Sequence, residues 1–187
     1  MRTRFAMAMC LVACSNQNPS DGGGTDASVD NVTTDAPQES GKDSGTACNT
    51  LSNLGAVIPQ TFVALDPVAG DGGSIAPGTY VLTAAAVYTG ADGGNGPTGT
   101  SFADTLAMAD AGTYERVASI IDDAGFDGSP VHQNGSFVLN GSSIQVKQTC
   151  PAGTQPFTSY DSNGTKLHLY APAAGGNPAV MFEYTKQ

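Results

Sequence analysis

His132-Gln133-Asn134-Gly135-Ser136-Phe137-Val138-Leu139-Asn140-Gly141-Ser142-Ser143-Ile144-Gln145-Val146-Lys147-Gln148-Thr149-Cys150 is the stretch that decides the fold. Phe137 and Leu139 before Asn140-Gly141, and Ile144 and Val146 after it, alternate with polar neighbours. Successive side chains of a strand point to opposite faces, so this period of two marks two strands, each with one buried face. Asn-Gly accepts the positive φ of a tight hairpin turn, so the two strands fold back on each other. The same signature recurs outward along the chain. Asn163-Gly164 precedes Leu167 and Leu169, and Val180, Phe182 and Tyr184 alternate near the end. Asp110-Ala111-Gly112 suits another short joint.

Read in this way, the chain predicts eight strands, at 78–90, 101–109, 112–121, 132–140, 143–150, 155–161, 164–171 and 179–186. The stretch from Ser119 to His132, with Asp122, Asp123 and Asp127, reads as one longer loop. No long stretch keeps helical spacing, so the class is all-β. Sequential strands with short joints favour an eight-stranded antiparallel meander closing into a barrel, with a β-sandwich as the alternative. Residues 51–65 are expected to plug one end of that barrel, with Thr61 to Leu65 as a further strand. The domain occupies 48–187.

Ahead of it the composition changes twice. Arg2 and Arg4 precede the apolar run Phe5 to Ala13, the order of parts in an export signal. Nine residues fall short of the roughly 20 that a spanning helix needs. Leu11-Val12-Ala13-Cys14 resembles the lipobox of bacterial lipoproteins. The resemblance implies a signal peptide at 1–13, a diacylglycerol on the Cys14 thiol, and attachment to a membrane through that lipid. Ser15 after the cysteine implies the outer membrane. Residues 14–47 then read as the lipidated cysteine followed by a disordered tether of Gly, Ser, Asp and Thr. Its acids Asp21, Asp26, Asp30, Asp35, Glu39 and Asp43 face only Lys42, and its apolar residues are too scattered to offset ordering entropy. Such a linker reaches roughly 30 Å. The acids lack the regular spacing that gathers carboxylates on one calcium ion.

Of four cysteines, Cys10 leaves with the signal peptide and Cys14 takes the lipid, so Cys48 and Cys150 are left to pair in an oxidising compartment. His132 and His168 are isolated and no Cys-x-x-Cys occurs, so no metal site is expected.

Gly72-Gly73-Ser74-Ile75-Ala76-Pro77-Gly78-Thr79-Tyr80-Val81-Leu82-Thr83, followed by Val87-Tyr88, resembles the opening of lipocalin-like domains in bacterial lipoproteins. Gly78-Thr79-Tyr80 stands where lipocalins carry Gly-x-Trp. The resemblance implies a barrel over residues 72–187. The chain departs from that family in having no tryptophan, and Lys186 rather than an arginine ends the last strand.

No nucleophile elbow, phosphate-binding Gly-Lys loop or His-Glu-x-x-His helix is present, so neither an enzyme nor a cofactor is expected. Residues 90–99 read as a mobile Gly-rich loop at the barrel mouth, without the lysine or helix start that would hold phosphate. Eleven acids against Arg116, Lys147, Lys166 and Lys186 after residue 47 exclude nucleic acid as a partner. Inward Tyr80, Leu82, Phe102, Leu106, Phe137, Leu139, Ile144 and Phe182 would line or fill the barrel. Asp104 falls between Phe102 and Leu106 on the same face. Arg116 is the only arginine after residue 4 and lies with Tyr114 on a strand expected to pair with that of Asp104. An internal Asp104–Arg116 pair follows as an expectation. The candidate ligand-binding set is Tyr80, Phe102, Asp104, Leu106, Arg116 and Phe137, for a small apolar molecule held by an anchored module. The alternative is a filled barrel acting as a structural or interaction protein that presents its loops at the envelope. His168, between Leu167 and Leu169, is expected to face solvent.

Overall fold

A computed structural model describes residues 48–122 and 128–187; the signal segment, Cys14, the tether and Asp123 to Asp127 lie outside them. The described chain is built of strands, with no helix. In order these are β1 (Ile58–Val63), β2 (Gly72–Ser74), β3 (Gly78–Tyr88), β4 (Gly96–Met108), β5 (Thr113–Ile121), β6 (Val131–Asn140), β7 (Ser143–Cys150), β8 (Ala152–Thr154), β9 (Ser159–Asn163), β10 (Lys166–Ala171) and β11 (Val180–Lys186). All belong to one sheet, which returns on itself as a ring through the contact between β7 and β9.

The all-β class holds, and the strand count is corrected from eight to eleven. The sheet is mixed: β1 runs parallel to β3, and β2 parallel to β9. These additions share a cause. β3 pairs with β4 only over Gly78 to Val81, after which the two strands diverge. β1 fills the gap, with Gln60 to Val63 against Ala85 to Tyr88 on one side and Ile58 to Phe62 against β4 on the other. β4 therefore starts at Gly96, within the stretch read as a loop, because β1 supplies a partner there. The sixth expected strand is shifted: residues 155–158 are irregular, and β9 runs to Asn163.

The hairpin turns are as read. Gly112, Gly141 and Gly164 have φ of 71°, 59° and 86°, a region where a side chain is strained. β6 and β7 pair Leu139 with Ile144 and Phe137 with Val146, joining the alternating residues quoted at the outset.

Residues 48–57 form a strap rather than an end plug. They cross the outer face of β4, β5 and β6. Asn49 donates to the backbone carbonyls of Arg116 (3.2 Å) and Gln133 (2.6 Å). Asn53 donates to the Ala103 carbonyl (2.9 Å), and the Thr105 hydroxyl accepts from the backbone of Leu54 (2.8 Å). Val117 and Thr105 face away from the core cluster, yet this strap buries them. Cys48 and Cys150 are disulfide-bonded, with Cα atoms 5.4 Å apart, so the start of the strap is pinned to the end of β7.

The opposite sheet face carries one apolar cluster. Tyr80, Leu82, Phe102, Leu106, Ile144, Tyr160, Leu167, Phe182 and Tyr184 are buried in it, and Phe137 and Leu139 pack against it half-buried. The Phe182 ring lies perpendicular to both Phe102 and Phe157, at ring separations of 5.2 and 5.8 Å. Such T-shaped contacts place a ring's positive edge on its neighbour's negative face.

Candidate interior site

The strand register places the expected charges together. β4 and β5 pair Leu106 with Arg116, so Asp104 lies two residues along the same face. Arg116 Nε donates to both carboxylate oxygens of Asp104 (3.1 and 2.9 Å), and Nη2 donates to Oδ2 at 2.5 Å. Asp104 is fully buried, and Arg116 is 6% exposed. The Tyr184 hydroxyl, from β11 across the ring, donates to Asp104 Oδ2 at 2.9 Å. One carboxylate thus ties β4, β5 and β11. Burial works against the charge on Arg116, but the adjoining carboxylate outweighs it and holds the pKa above its usual value. Burial, reinforced by Asp104, pushes the Tyr184 hydroxyl well up, so it is a neutral donor.

Three glutamines complete the network. Arg116 Nη1 lies 3.4 Å from both Gln133 Oε1 and Gln155 Oε1. Gln155 donates to Gln133 (3.2 Å) and Gln148 (2.5 Å), and Gln148 donates to the Pro151 carbonyl (2.7 Å). Gln133 and Gln148 are buried while Gln155 is half-exposed, so the network runs from Asp104 toward solvent near β8.

Beside this network lies a cavity of about 30 Å³, lined by Leu106, Met108, Tyr114, Arg116, Phe137, Ile144, Val146, Gln155, Phe157, Leu169 and Tyr184. That volume exceeds the roughly 10–15 Å³ needed by one water but is far below the size of a ligand pocket. Among the described residues the buried Tyr114 hydroxyl has no hydrogen-bond partner. Burial raises its pKa, and the nearby Arg116 charge partly offsets the rise.

Of the six expected site residues, Leu106, Arg116 and Phe137 line the cavity. Asp104 adjoins it through Arg116. Tyr80 and Phe102 do not reach it: Tyr80 donates its hydroxyl to the Ala76 carbonyl (2.5 Å), and Phe102 packs on Phe182. Tyr184, Gln133, Gln148 and Gln155 escaped the sequence reading. Tyr184 was legible as inward from its alternation with Phe182, but its partner across the ring was not.

The arrangement is an internally neutralised ion pair with its remaining donors on amides. No family model, curated protein or solved structure matches this chain.

Proposed function

We propose that this protein is a lipid-anchored envelope module that works through its outer surface: a ring held by a tether from Cys14 at the outer membrane, presenting loops and strap to other envelope components. Its ring is read as a lipocalin-like barrel in which β3 to β7 and β9 to β11 make the eight-stranded meander and β1, β2 and β8 are additions. One observation carries the functional reading: the apolar cluster and a charge pair already satisfied pack the interior, and the cavity beside that pair measures about 30 Å³. A buried pair that meets its own needs has little to offer a ligand, since displacing either partner would strand a charge.

A second reading, a binder of a small apolar molecule, draws on the apolar side chains Leu106, Phe137, Ile144 and Leu169 around that cavity. It requires the segment at Gln155 to Phe157 to move outward. Solvent extraction of the purified protein, with displacement of an apolar fluorescent probe, separates the two. The interaction reading expects an empty extract and no saturable probe binding. A stoichiometric extracted molecule would replace it with the binder.

A further inference from the structure

Away from the interior, β9, β10 and β11 carry a row of ionisable groups on their outer face. The register pairs Asp161 with His168 and His168 with Glu183. His168 Nδ1 lies 2.6 Å from Asp161 Oδ1, and Nε2 lies 2.9 Å from Glu183 Oε2. A neutral imidazole has one N–H, so contacts from both nitrogens to carboxylate oxygens require the imidazolium, with two donors. The carboxylates are held in turn. Tyr170 donates its hydroxyl to Asp161 Oδ2 (2.5 Å), while Lys166 (2.9 Å) and Thr83 (3.2 Å) donate to Glu183 Oε1. Tyr88 on β3 and Asp71 before β2 complete the charged and titratable surroundings through Tyr170. Partial burial disfavours the charge on His168, but the two carboxylates outweigh it and raise its pKa above 6.5.

The place of this row in the fold gives it a consequence. β9 closes the ring onto β7 through one residue pair, Ser143 with Ser159. Two backbone hydrogen bonds flank that pair: Ile144 N–H to the Thr158 carbonyl (3.1 Å) and Tyr160 N–H to the Ser142 carbonyl (3.0 Å). Along its other edge β9 pairs with β10 over four residues, Ser159 to Ser162, while beyond the seam, on the edge that meets β7, it pairs with the three-residue β2 over Asp161 to Asn163. The seam is the least paired junction of the ring, and Asp161 lies two residues beyond Ser159 on β9, opposite Gly72 of β2.

We propose that His168, as an imidazolium shared by Asp161 and Glu183, is a proton-operated clasp that fastens β9 to β10 and β11 and, by fixing β9, supports the β7–β9 seam when charged and slackens it when the proton is lost. On deprotonation one nitrogen becomes an acceptor facing a carboxylate, so an attraction turns into a repulsion. The folded pKa of His168 is raised, so its contribution is complete below about 6.5 and is lost as pH climbs through the folded value. Burial raises the Glu183 pKa, but His168, Lys166 and Thr83 outweigh it and lower the carboxyl below 4.5, so its contribution is lost as pH falls through that lower value. The clasp is strongest between these limits and opens on the alkaline side.

Hydrogen exchange of the Ile144 and Tyr160 amides, corrected for intrinsic rates, reads the seam directly. Thr105 and Val117 amides, on β4 and β5, serve as controls for global opening. Between pH 6 and pH 9.5 protection at the seam should fall, by up to about tenfold per unit that the His168 midpoint exceeds 6.5, with the controls unchanged. His168→Gln should show the lower seam protection at both pH values. Ring-proton NMR titration of the unmodified protein should place the His168 midpoint above 6.5, and Glu183→Gln should lower it. A midpoint at or below 6.5, or seam protection equal at the two pH values, would overturn the proposal.

Discussion

Replacing Arg116 with methionine leaves Asp104 fully buried with one remaining side-chain partner among the described residues, the Tyr184 hydroxyl at 2.9 Å. Three contacts to the guanidinium, between 2.5 and 3.1 Å, are lost. Stranding one member of a buried pair costs about 3–5 kcal/mol, a large fraction of the roughly 5–15 kcal/mol that holds a domain folded. Asp104→Leu should cost a similar amount, because Arg116 is then left to the two glutamine oxygens at 3.4 Å. If the two sites were independent, the double variant would lose about 6–10 kcal/mol and would not fold. The geometry instead predicts a loss of about 1–3 kcal/mol, that of leaving the Tyr184 hydroxyl without its acceptor. Adding Tyr184→Phe should recover most of that loss. Urea unfolding of the four proteins, with the disulfide intact, gives the cycle directly. Additive losses would refute the claim that Asp104 and Arg116 form one unit.

The disulfide joins residues 102 apart, so its reduction should lower stability by about 4–5 kcal/mol in the chain-entropy model and free the strap, read as a shift in the urea midpoint with and without reductant. Tyr114→Phe removes a buried hydroxyl that lacks a partner among the described residues, and unfolding should show it neutral or stabilising by up to about 1–3 kcal/mol; a comparable destabilisation would mean that the hydroxyl is bonded. Gly70→Ala would place a Cβ 2.0 Å from the Tyr160 carbonyl oxygen, so thermal unfolding should show at least about 1–3 kcal/mol of lost stability, with the Tyr160 amide the first to lose protection.

Much of this was legible because it is local. Phe137, Leu139, Ile144 and Val146 alternate around an Asn-Gly turn, and both the turn and the pairing followed. The Asp104–Arg116 pair was legible for a related reason: a short hairpin joins their strands, which leaves few registers. What escaped depends on segments distant in sequence. β1 pairs in parallel with β3 only because β3 and β4 part, and neither strand's own pattern announces that divergence. Thr105 and Val117 carry the alternation of an exposed face, but the strap covers them. His168 does lie on the outer face, as its neighbours Leu167 and Leu169 imply. Its enclosure by Asp161 and Glu183 came from the register of two further strands, which a single segment does not encode.

Native mass spectrometry of the intact protein, purified from membranes, tests the proposed lipid anchor and the filled interior together. The predicted mass begins at Cys14, carries covalent lipid, lacks two hydrogens for the Cys48–Cys150 bond, and includes no bound molecule. An unlipidated chain retaining Met1, or a non-covalent adduct of ligand size released by solvent, would contradict it.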